Sequence, residues 1–376
     1  MSSVVETKPP KDPRVEAAIS HWAPRFVING VPLTDFQEVT AGIDCWEDWC
    51  SAWSARAAVH EDLGDKARAA GYKLSAGEHY TRAAVCYHFG KFLFVNDLAQ
   101  MKAAHLKAVA CRNKALPLLD PPGERVAIPY EGRELYGNLR KPAGVAKAPI
   151  VVMCMGLDSA KEEMDDYENR FLQRGLATLA FDGPGQGEAE YDFAICPEYE
   201  RPVKAVIDYL EKRPDVDAKK IGIVAISLGG YYSPRCAAME PRYAACIAWG
   251  AQWNYYETWK KRIDAQFKTS LSVPGHHIMW ILGVDSLDAA LKKLEPFKLD
   301  GVMQKMHCPF LLVHGADDEQ IPLADAQKQF DACGSKDKTF RVYTAEEGGA
   351  QHCQRDYLTL VVAEMWNWFE EKLVRA

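Results

Sequence analysis

The sequence predicts an all-helical N-terminal domain followed by an α/β domain with a mostly parallel, doubly wound sheet. Two observations predict this: apolar residues at helical spacing in the first third of the chain, then short apolar runs that alternate with amphipathic segments. The chain has 376 residues, and single cores stop growing near ~250–300 residues, so two parts are expected.

Composition limits the classes of molecule that the protein is expected to bind and the compartment in which it is expected to work. A net charge of −7 without a basic stripe argues against nucleic acid and membrane surfaces, which leaves a small-molecule substrate. Residues 1–13 are polar, are expected to be disordered and carry no signal-peptide pattern. Eleven cysteines without C-x-x-C spacing favour a reduced, cytoplasmic protein. Neither a metal site nor a cofactor is predicted.

The helical domain is assigned to residues 14–120. Apolar residues three and four positions apart in 79–94 and 99–116 predict long helices. Proline and glycine at 117–123 break this pattern, so the second domain is assigned to 124–376.

The second domain opens with alternation of period two around Glu131-Gly132, which predicts a β-hairpin. Continuous apolar runs then predict buried parallel strands at 149–155, 176–181, 221–226, 244–249, 310–315 and 339–344. Helical patterns lie between them at 164–175 and 197–213, and one closes the chain at 359–374. The connection of about 252–306 is too long for a plain loop and is expected to form a small lid after the sixth strand.

The segment IGIVAISLGGYY (221–232) predicts a strand that ends in a sharp turn at Ser227 and leads into a helix. Such a turn admits only small residues two positions to either side, and Ala225 and Gly229 meet this demand, with Ala225 in place of the usual glycine. The turn would expose the Ser227 hydroxyl as a nucleophile and direct the Leu228 backbone N–H at an oxyanion. The alternative is an incidental serine in a structural turn. The pattern favours the α/β-hydrolase fold.

A nucleophilic serine needs a base, and the base needs an acid that orients it. In this fold they follow in the order serine, acid, histidine. The strand at 310–315 is followed by Asp317 and Asp318, of which Asp318 is the expected acid; a solvated acidic loop is the alternative. His352 lies on a glycine-bearing loop before the last helix and is the expected base.

A second oxyanion donor, the backbone N–H of Leu157, is expected from the loop after the third strand, which leaves the sheet at Gly156. Gly156 itself is expected to contact the substrate. The glycine-rich DGPGQGE (182–188) lacks the Lys-Ser/Thr pair of a phosphate-binding loop and is expected to be a structural turn beside the site.

Together, GLDSAKEE (156–163), DGPGQGE, the SLGG turn and the QHC loop, behind the helical RAAVCYHFGKFLF, resemble the 2,6-dihydroxypseudooxynicotine hydrolase group. That group is similar to fungal polyketide chain-shortening hydrolases and to FrsA-type esterases. The similarity spans about residues 14–374. It implies a helical domain that caps the active site and, for several members, cleavage of a carbon–carbon bond in a β-dicarbonyl compound.

The resemblance supports Ser227, Asp318 and His352 as a triad. It also implies an acidic residue after the sixth strand, for which Glu257 is the nearest match, although its neighbours differ from the family pattern. Aromatic and histidine side chains are expected to wall a flat substrate, with domain-interface packing as the alternative: Tyr87 and His88 in the helical domain, Trp253 and Tyr256 in the lid.

The predicted function is therefore a serine hydrolase that cleaves a carbon–carbon bond of a β-dicarbonyl or aryl-ketone substrate of aromatic or polyketide-like character. A carboxylesterase or amidase would use the same triad, and a non-catalytic binding protein of this fold is the alternative from another class. A homodimer is expected because it is the commonest oligomer.

Overall fold

The computed structural model describes residues 11–265 and 273–375. The disorder expected for residues 1–13 falls mostly outside these ranges, and a helix begins at Pro13. Five helices make up the N-terminal part: α1 Pro13–Ile28, α2 Leu33–Gly42, α3 Trp49–Ala69, α4 Lys73–Lys91 and α5 Leu98–Ala115. Helix α4 packs between α3 and α5, and an aromatic cluster fills the space beneath α1, where Phe26 stacks on Phe89 with ring centroids 3.7 Å apart.

An eight-stranded sheet follows the helices. Its strands are β1 Gly123–Tyr130, β2 Arg133–Arg140, β3 Ala148–Cys154, β4 Ala177–Phe181, β5 Val216–Ile226, β6 Ala245–Trp249, β7 Phe310–Gly315 and β8 Lys338–Tyr343. The spatial order is β1-β2-β4-β3-β5-β6-β7-β8; β2 runs antiparallel to β1 and β4, and the remaining pairs are parallel. The fold class expected from the sequence is confirmed.

The hairpin between β1 and β2 turns at the expected dipeptide. Glu131 and Gly132 have φ angles of 48° and 78°, the left-handed conformations that a two-residue type I′ turn requires at both positions. The twist of this turn matches the twist of the paired strands, which fixes the register Tyr130 opposite Arg133.

Helices cover both faces of the sheet and fill the connection after β6. They are α6 Asp165–Leu172, α7 Glu200–Leu210, α8 Gly229–Met239, α12 Leu323–Ala332 and α13 Leu358–Phe369 around the sheet, with α9 Tyr255–Asp264, α10 Gly275–Leu282 and α11 Leu287–Leu294 in the expected lid. Within the described ranges, no helix combines the length and apolar character needed to cross a bilayer.

Buried ion pairs join the helical part to the sheet. Arg112 on α5 donates to Asp165 and Glu168 on α6 at 2.6 and 2.5 Å, and Arg140 on β2 approaches the same carboxylates at 3.2 and 3.5 Å. Both arginines and Glu168 are almost fully buried. A buried charge destabilises the fold unless it is paired, so this cluster favours one docked arrangement of the two parts.

We expect Arg112→Ala to lower the free energy of unfolding by about 3 kcal/mol or more, because removal of one partner leaves the buried Glu168 carboxylate undercompensated. Urea denaturation followed by tryptophan fluorescence measures the change. Arg82→Ala is the control, since Arg82 is partly exposed and its pairing with Glu78 at 3.9 Å is weak. Equal stability of the two variants would contradict a structural role for the cluster.

Candidate active site

The turn between β5 and α8 holds Ser227 in a left-handed conformation with a φ of 60°. Its backbone N–H donates to the Trp249 carbonyl at the end of β6 (2.9 Å). The turn is crowded: a Cβ added to Gly230 would lie 1.4 Å from the Gly250 carbonyl oxygen, and one added to Gly229 would lie 2.4 Å from the Ala225 Cβ. Alanine is therefore accommodated at position 225 because position 229 is glycine.

Ser227, His352 and Asp318 form a continuous chain of hydrogen bonds. Ser227 Oγ lies 2.9 Å from His352 Nε2, and His352 Nδ1 lies 2.8 Å from Asp318 Oδ2. The second oxygen of Asp318 accepts the backbone N–H groups of Gln320 and Ile321 at 2.8 and 2.9 Å, which fixes the carboxylate. The alternative acid Asp317 is exposed.

The electrostatics of this chain favour an imidazolium–carboxylate pair. Burial alone would lower the pKa of His352, but the charge and hydrogen bond of Asp318, together with the neighbouring Cys353, outweigh burial and raise the pKa to about 10. Burial alone would raise the pKa of Asp318, but His352 faces the carboxylate and lowers its pKa below the usual value. Cys353, which the sequence analysis did not single out, places its Sγ 3.4 Å from His352 Nε2.

The loop after β3 lies directly against the Ser227 turn. A Cβ on Gly156 would meet the Ile226 carbonyl oxygen at 2.7 Å, so only glycine allows this approach. Gln186 of DGPGQGE donates to the carbonyls of Met155 and Gly156 at 2.7 and 3.0 Å, which makes that segment a support for the loop. Leu157 lines the cavity beside Ser227, and Leu228 stands at the start of α8, where backbone N–H groups have no acceptor within the helix.

The same loop continues into three consecutive buried charges. Lys161 Nζ lies 2.7 Å from carboxylate oxygens of Asp182, Glu162 and Glu188. Glu163 is reached from the helical part: Arg25 of α1 donates to it at 2.7 Å, and His88 of α4 lies 3.2 Å away. Because these partners are distant in sequence, composition and spacing gave no signal for them.

A cavity of about 90 Å³ adjoins Ser227 and His352. Helix α1 contributes His21, Trp22, Arg25 and the nearby Asn29 to its wall, and the segment after β6 contributes Gln252, Tyr255 and Arg262. The helical part thus reaches the site through its first helix.

Several side chains that were expected to line the substrate cavity lie elsewhere in the structure. Tyr87 points to Glu61 (3.2 Å), and His88 is buried against Glu163 instead of facing the cavity. Trp253 and Tyr256 pack against the hydrophobic core, and Glu257 is exposed on α9. The inward face of α9 is Tyr255, Thr258, Trp259 and Arg262, at the i, i+3, i+4 and i+7 spacing of a helix, so Glu257 and Tyr256 fall outside it.

Among the described residues, two groups of potential metal ligands lie outside the lining of this cavity. His105, Glu162 and Asp182 bring ligand atoms within 4.8 Å of one another, but the Lys161 ammonium contacts both carboxylates. Asp35, His60 and Cys86 form the other group in the helical part, where Arg56 donates to Asp35 (3.1 Å). In both groups a cationic side chain compensates a carboxylate.

The sheet order and the strand–turn–helix that presents Ser227 define an α/β hydrolase. Residues 40–372 match the family described as esterase FrsA-like, and the chain belongs to this family. It is 32% identical to a 2,6-dihydropseudooxynicotine hydrolase of Paenarthrobacter nicotinovorans, with 96% of this chain and 93% of that protein covered. It is 28% identical to a 20-hydroxy-prefusarin hydrolase of Gibberella moniliformis, with 86% and 87% covered.

A solved structure agrees with the sequence relatives. The crystal structure of a 2,6-dihydroxy-pseudo-oxynicotine hydrolase superposes with a TM-score of 0.83 at 30% identity and covers 94% of this chain and 96% of that one. The chain is accordingly an enzyme of the hydrolase class.

We expect Gly230→Ala to prevent stable folding or to lower the free energy of unfolding by roughly 3 kcal/mol, since the added methyl would overlap a backbone carbonyl that cannot yield like a side chain. Thermal unfolding measures the effect. Gly42→Ala is the matched control, because no atom lies within 4 Å of its added Cβ. A Gly230→Ala protein with wild-type stability would refute the crowding argument.

Proposed function

We propose that this chain is a serine hydrolase in which Ser227 attacks a carbonyl carbon, His352 is the general base and Asp318 orients His352. The observation that carries the proposal is the hydrogen-bond chain from Ser227 Oγ through the imidazole to Asp318, with distances of 2.9 and 2.8 Å. Each group is buried or half-buried beside a cavity, where a nucleophile and its base act on a molecule shielded from bulk water.

In the proposed reaction, His352 Nε2 takes the Ser227 proton as Oγ bonds to the carbonyl carbon. The oxyanion rests on the backbone N–H groups of Leu228 and Leu157. His352 then gives its proton to the leaving group as the tetrahedral intermediate breaks down to an acyl-serine. A water molecule, deprotonated by His352, hydrolyses the acyl-serine and restores the hydroxyl.

We propose a carbon–carbon bond of a β-dicarbonyl or aryl-ketone small molecule as the bond that is cleaved. A carbanion leaves less readily than an alkoxide, so this reaction demands a well-placed proton donor. Asp318 stabilises the protonated form of His352 and thereby supports that role. The relatives named as hydrolases of 2,6-dihydropseudooxynicotine and 20-hydroxy-prefusarin support a small-molecule substrate of aromatic or polyketide-like character.

A carboxylesterase activity is the second candidate, favoured by the match to the FrsA-like esterase family. Both reactions pass through the same acyl-serine, so identification of the products from β-diketones and from simple esters separates them. The cytoplasmic setting and the homodimer stay predictions. All eleven cysteines are free thiols, which supports a reducing compartment.

We expect a fluorophosphonate probe to form one adduct with the wild-type protein and none with Ser227→Ala, because only an activated serine hydroxyl attacks phosphorus readily. Intact-mass spectrometry detects the adduct. Ser233→Ala is the control, since Ser233 is buried on α8 and donates to backbone carbonyls. An adduct that persists in Ser227→Ala would assign the nucleophile elsewhere, and no adduct in the wild type would overturn covalent catalysis.

We expect kcat/KM for a neutral aryl ester to rise with pH along a limb set by His352, because only the deprotonated imidazole accepts the serine proton. Asp318 raises the pKa of His352 to about 10, so Asp318→Asn lowers that pKa and moves the limb to lower pH. The maximal rate falls by roughly 10³–10⁴ as the imidazole loses its orienting carboxylate. A limb that stays in place, or moves to higher pH, would contradict the assignment of Asp318.

A further inference from the structure

Arg262 on α9 is a buried cation in the cavity wall. Only 6% of the residue is exposed, and its Nη2 donates to Gln320 Oε1 at 2.7 Å. Among the described residues it forms no ion pair, and its buried Nε has no hydrogen-bond partner. The sequence of 266–272, QFKTSLS, contains no aspartate or glutamate that could form an ion pair with Arg262.

The two carboxylates that act electrostatically on Arg262 are already hydrogen-bonded to other side chains. Asp318 and Asp158 act on the guanidinium at longer range, but Asp318 is bonded to His352 and Asp158 to Arg25. The aromatic ring of Trp259 lies 4.9 Å from the Arg262 Cζ and covers the guanidinium without neutralising it. Burial is the dominant effect on Arg262 and lowers its pKa.

A second side chain in the same wall lacks a partner. His21 on α1 is 6% exposed, and its buried Nε2 has no hydrogen-bond partner among the described residues. Burial, reinforced by Arg355, His352 and Arg25, lowers its pKa to about 3, so the imidazole is neutral. Two buried polar groups in one cavity, one cationic and both incompletely bonded, are costly in the free protein.

We propose that the cavity binds a molecule whose negative charge is shared between two oxygens, a carboxylate or its vinylogue, the enolate of a β-dicarbonyl, and that Arg262 is the cation that binds it. A planar guanidinium suits a pair of oxygens that share one charge, and the Nε–H of Arg262 has no acceptor among the described residues. The inference rests on the proposed function, because the anion belongs to the molecule on which Ser227 acts.

In the reaction, Arg262 would bind the negative charge of the substrate or of the leaving group. A carboxylate would be held as a fixed part of the substrate. An enolate would be the departing group when the attacked carbonyl is attached to the central carbon of a separate 1,3-dicarbonyl unit: the carbon–carbon bond breaks, its electron pair is shared between the two oxygens of that unit, and His352 returns the proton to the carbon. In either case Arg262 supplies the charge that His21, as a neutral imidazole, does not.

Isothermal titration calorimetry with two matched pairs of probes tests the proposal without any need for turnover. Benzoate against benzamide measures the preference for a carboxylate, and ionised 1,3-cyclohexanedione against cyclohexanone measures the preference for an enolate. We expect the wild-type protein to bind the anion at least tenfold more tightly in one pair or in both, and the pair identifies the source of the charge. No preference in either pair overturns the proposal.

The variant Arg262→Met keeps an apolar stem against Trp259 and removes the charge. We expect it to lose the anion preference by tenfold or more and to raise Tm, because an unpaired buried charge destabilises the free protein. Lys260→Gln is the matched control: it removes one positive charge from an exposed position of the same helix and keeps the preference. A sharp fall in Tm for Arg262→Met, or an unchanged preference, contradicts the proposal.

The titration and the fluorophosphonate experiment together distinguish failure of the anion site from failure of the serine mechanism. A wild-type protein that discriminates between the probes but forms no fluorophosphonate adduct would retain the anion site and lose the serine mechanism. A protein that forms the adduct but binds both members of each pair equally would keep the mechanism and lose the anion site.

Discussion

The buried charges of one loop are the constraint on which the site depends. Lys161, Glu162 and Glu163 are each about 1% exposed, and a buried charge costs several kcal/mol unless it is paired. Asp182 after β4 compensates Lys161, and Arg25 of α1 compensates Glu163. Burial alone would raise the pKa of Glu163, but Arg25 and His88 hold it below its usual range. The loop that carries Leu157 can therefore keep its place only when the helical part is docked on the sheet, which makes that part a structural member of the site.

The Ser227 turn adds a second constraint of a different kind. Its geometry is set by overlap of backbone atoms, since Gly230 faces the Gly250 carbonyl and Gly156 faces the Ile226 carbonyl with no room for a methyl group. Backbone carbonyls at a sheet edge do not move independently of their strands. The serine hydroxyl and the loop beside it are consequently held by the sheet itself, and the charge network has only to hold the loop's far end.

These two constraints explain what the sequence could and could not predict. The strands were visible because residues buried on both faces must be apolar, and the Ser227 turn because steric crowding selects small residues at fixed spacing. The wall of the cavity was not visible. Arg25 and Glu163 are 138 positions apart, and nothing local marks either as a partner of the other. Glu257 and Tyr256 were misplaced because the sequence located them only in the segment after the sixth strand, whereas the wall is one face of α9 and the direction of each side chain follows from its position in that helix.

The proposed chemistry and the wall of the cavity thus reside on different elements. The proposed nucleophile, base and acid follow strands whose positions are fixed by the sheet, whereas His21, Arg25 and Arg262 project from helices packed over it. Substitutions on the inward faces of α1 and α9 change the shape and charge of the cavity without disturbing the hydrogen-bond chain to Ser227. One fold can then serve different substrates, in keeping with the different compounds for which the relatives are named. Arg25 is the exception, because it lines the cavity and also neutralises Glu163; a change there alters the wall of the cavity and the support of the loop that carries Leu157 together.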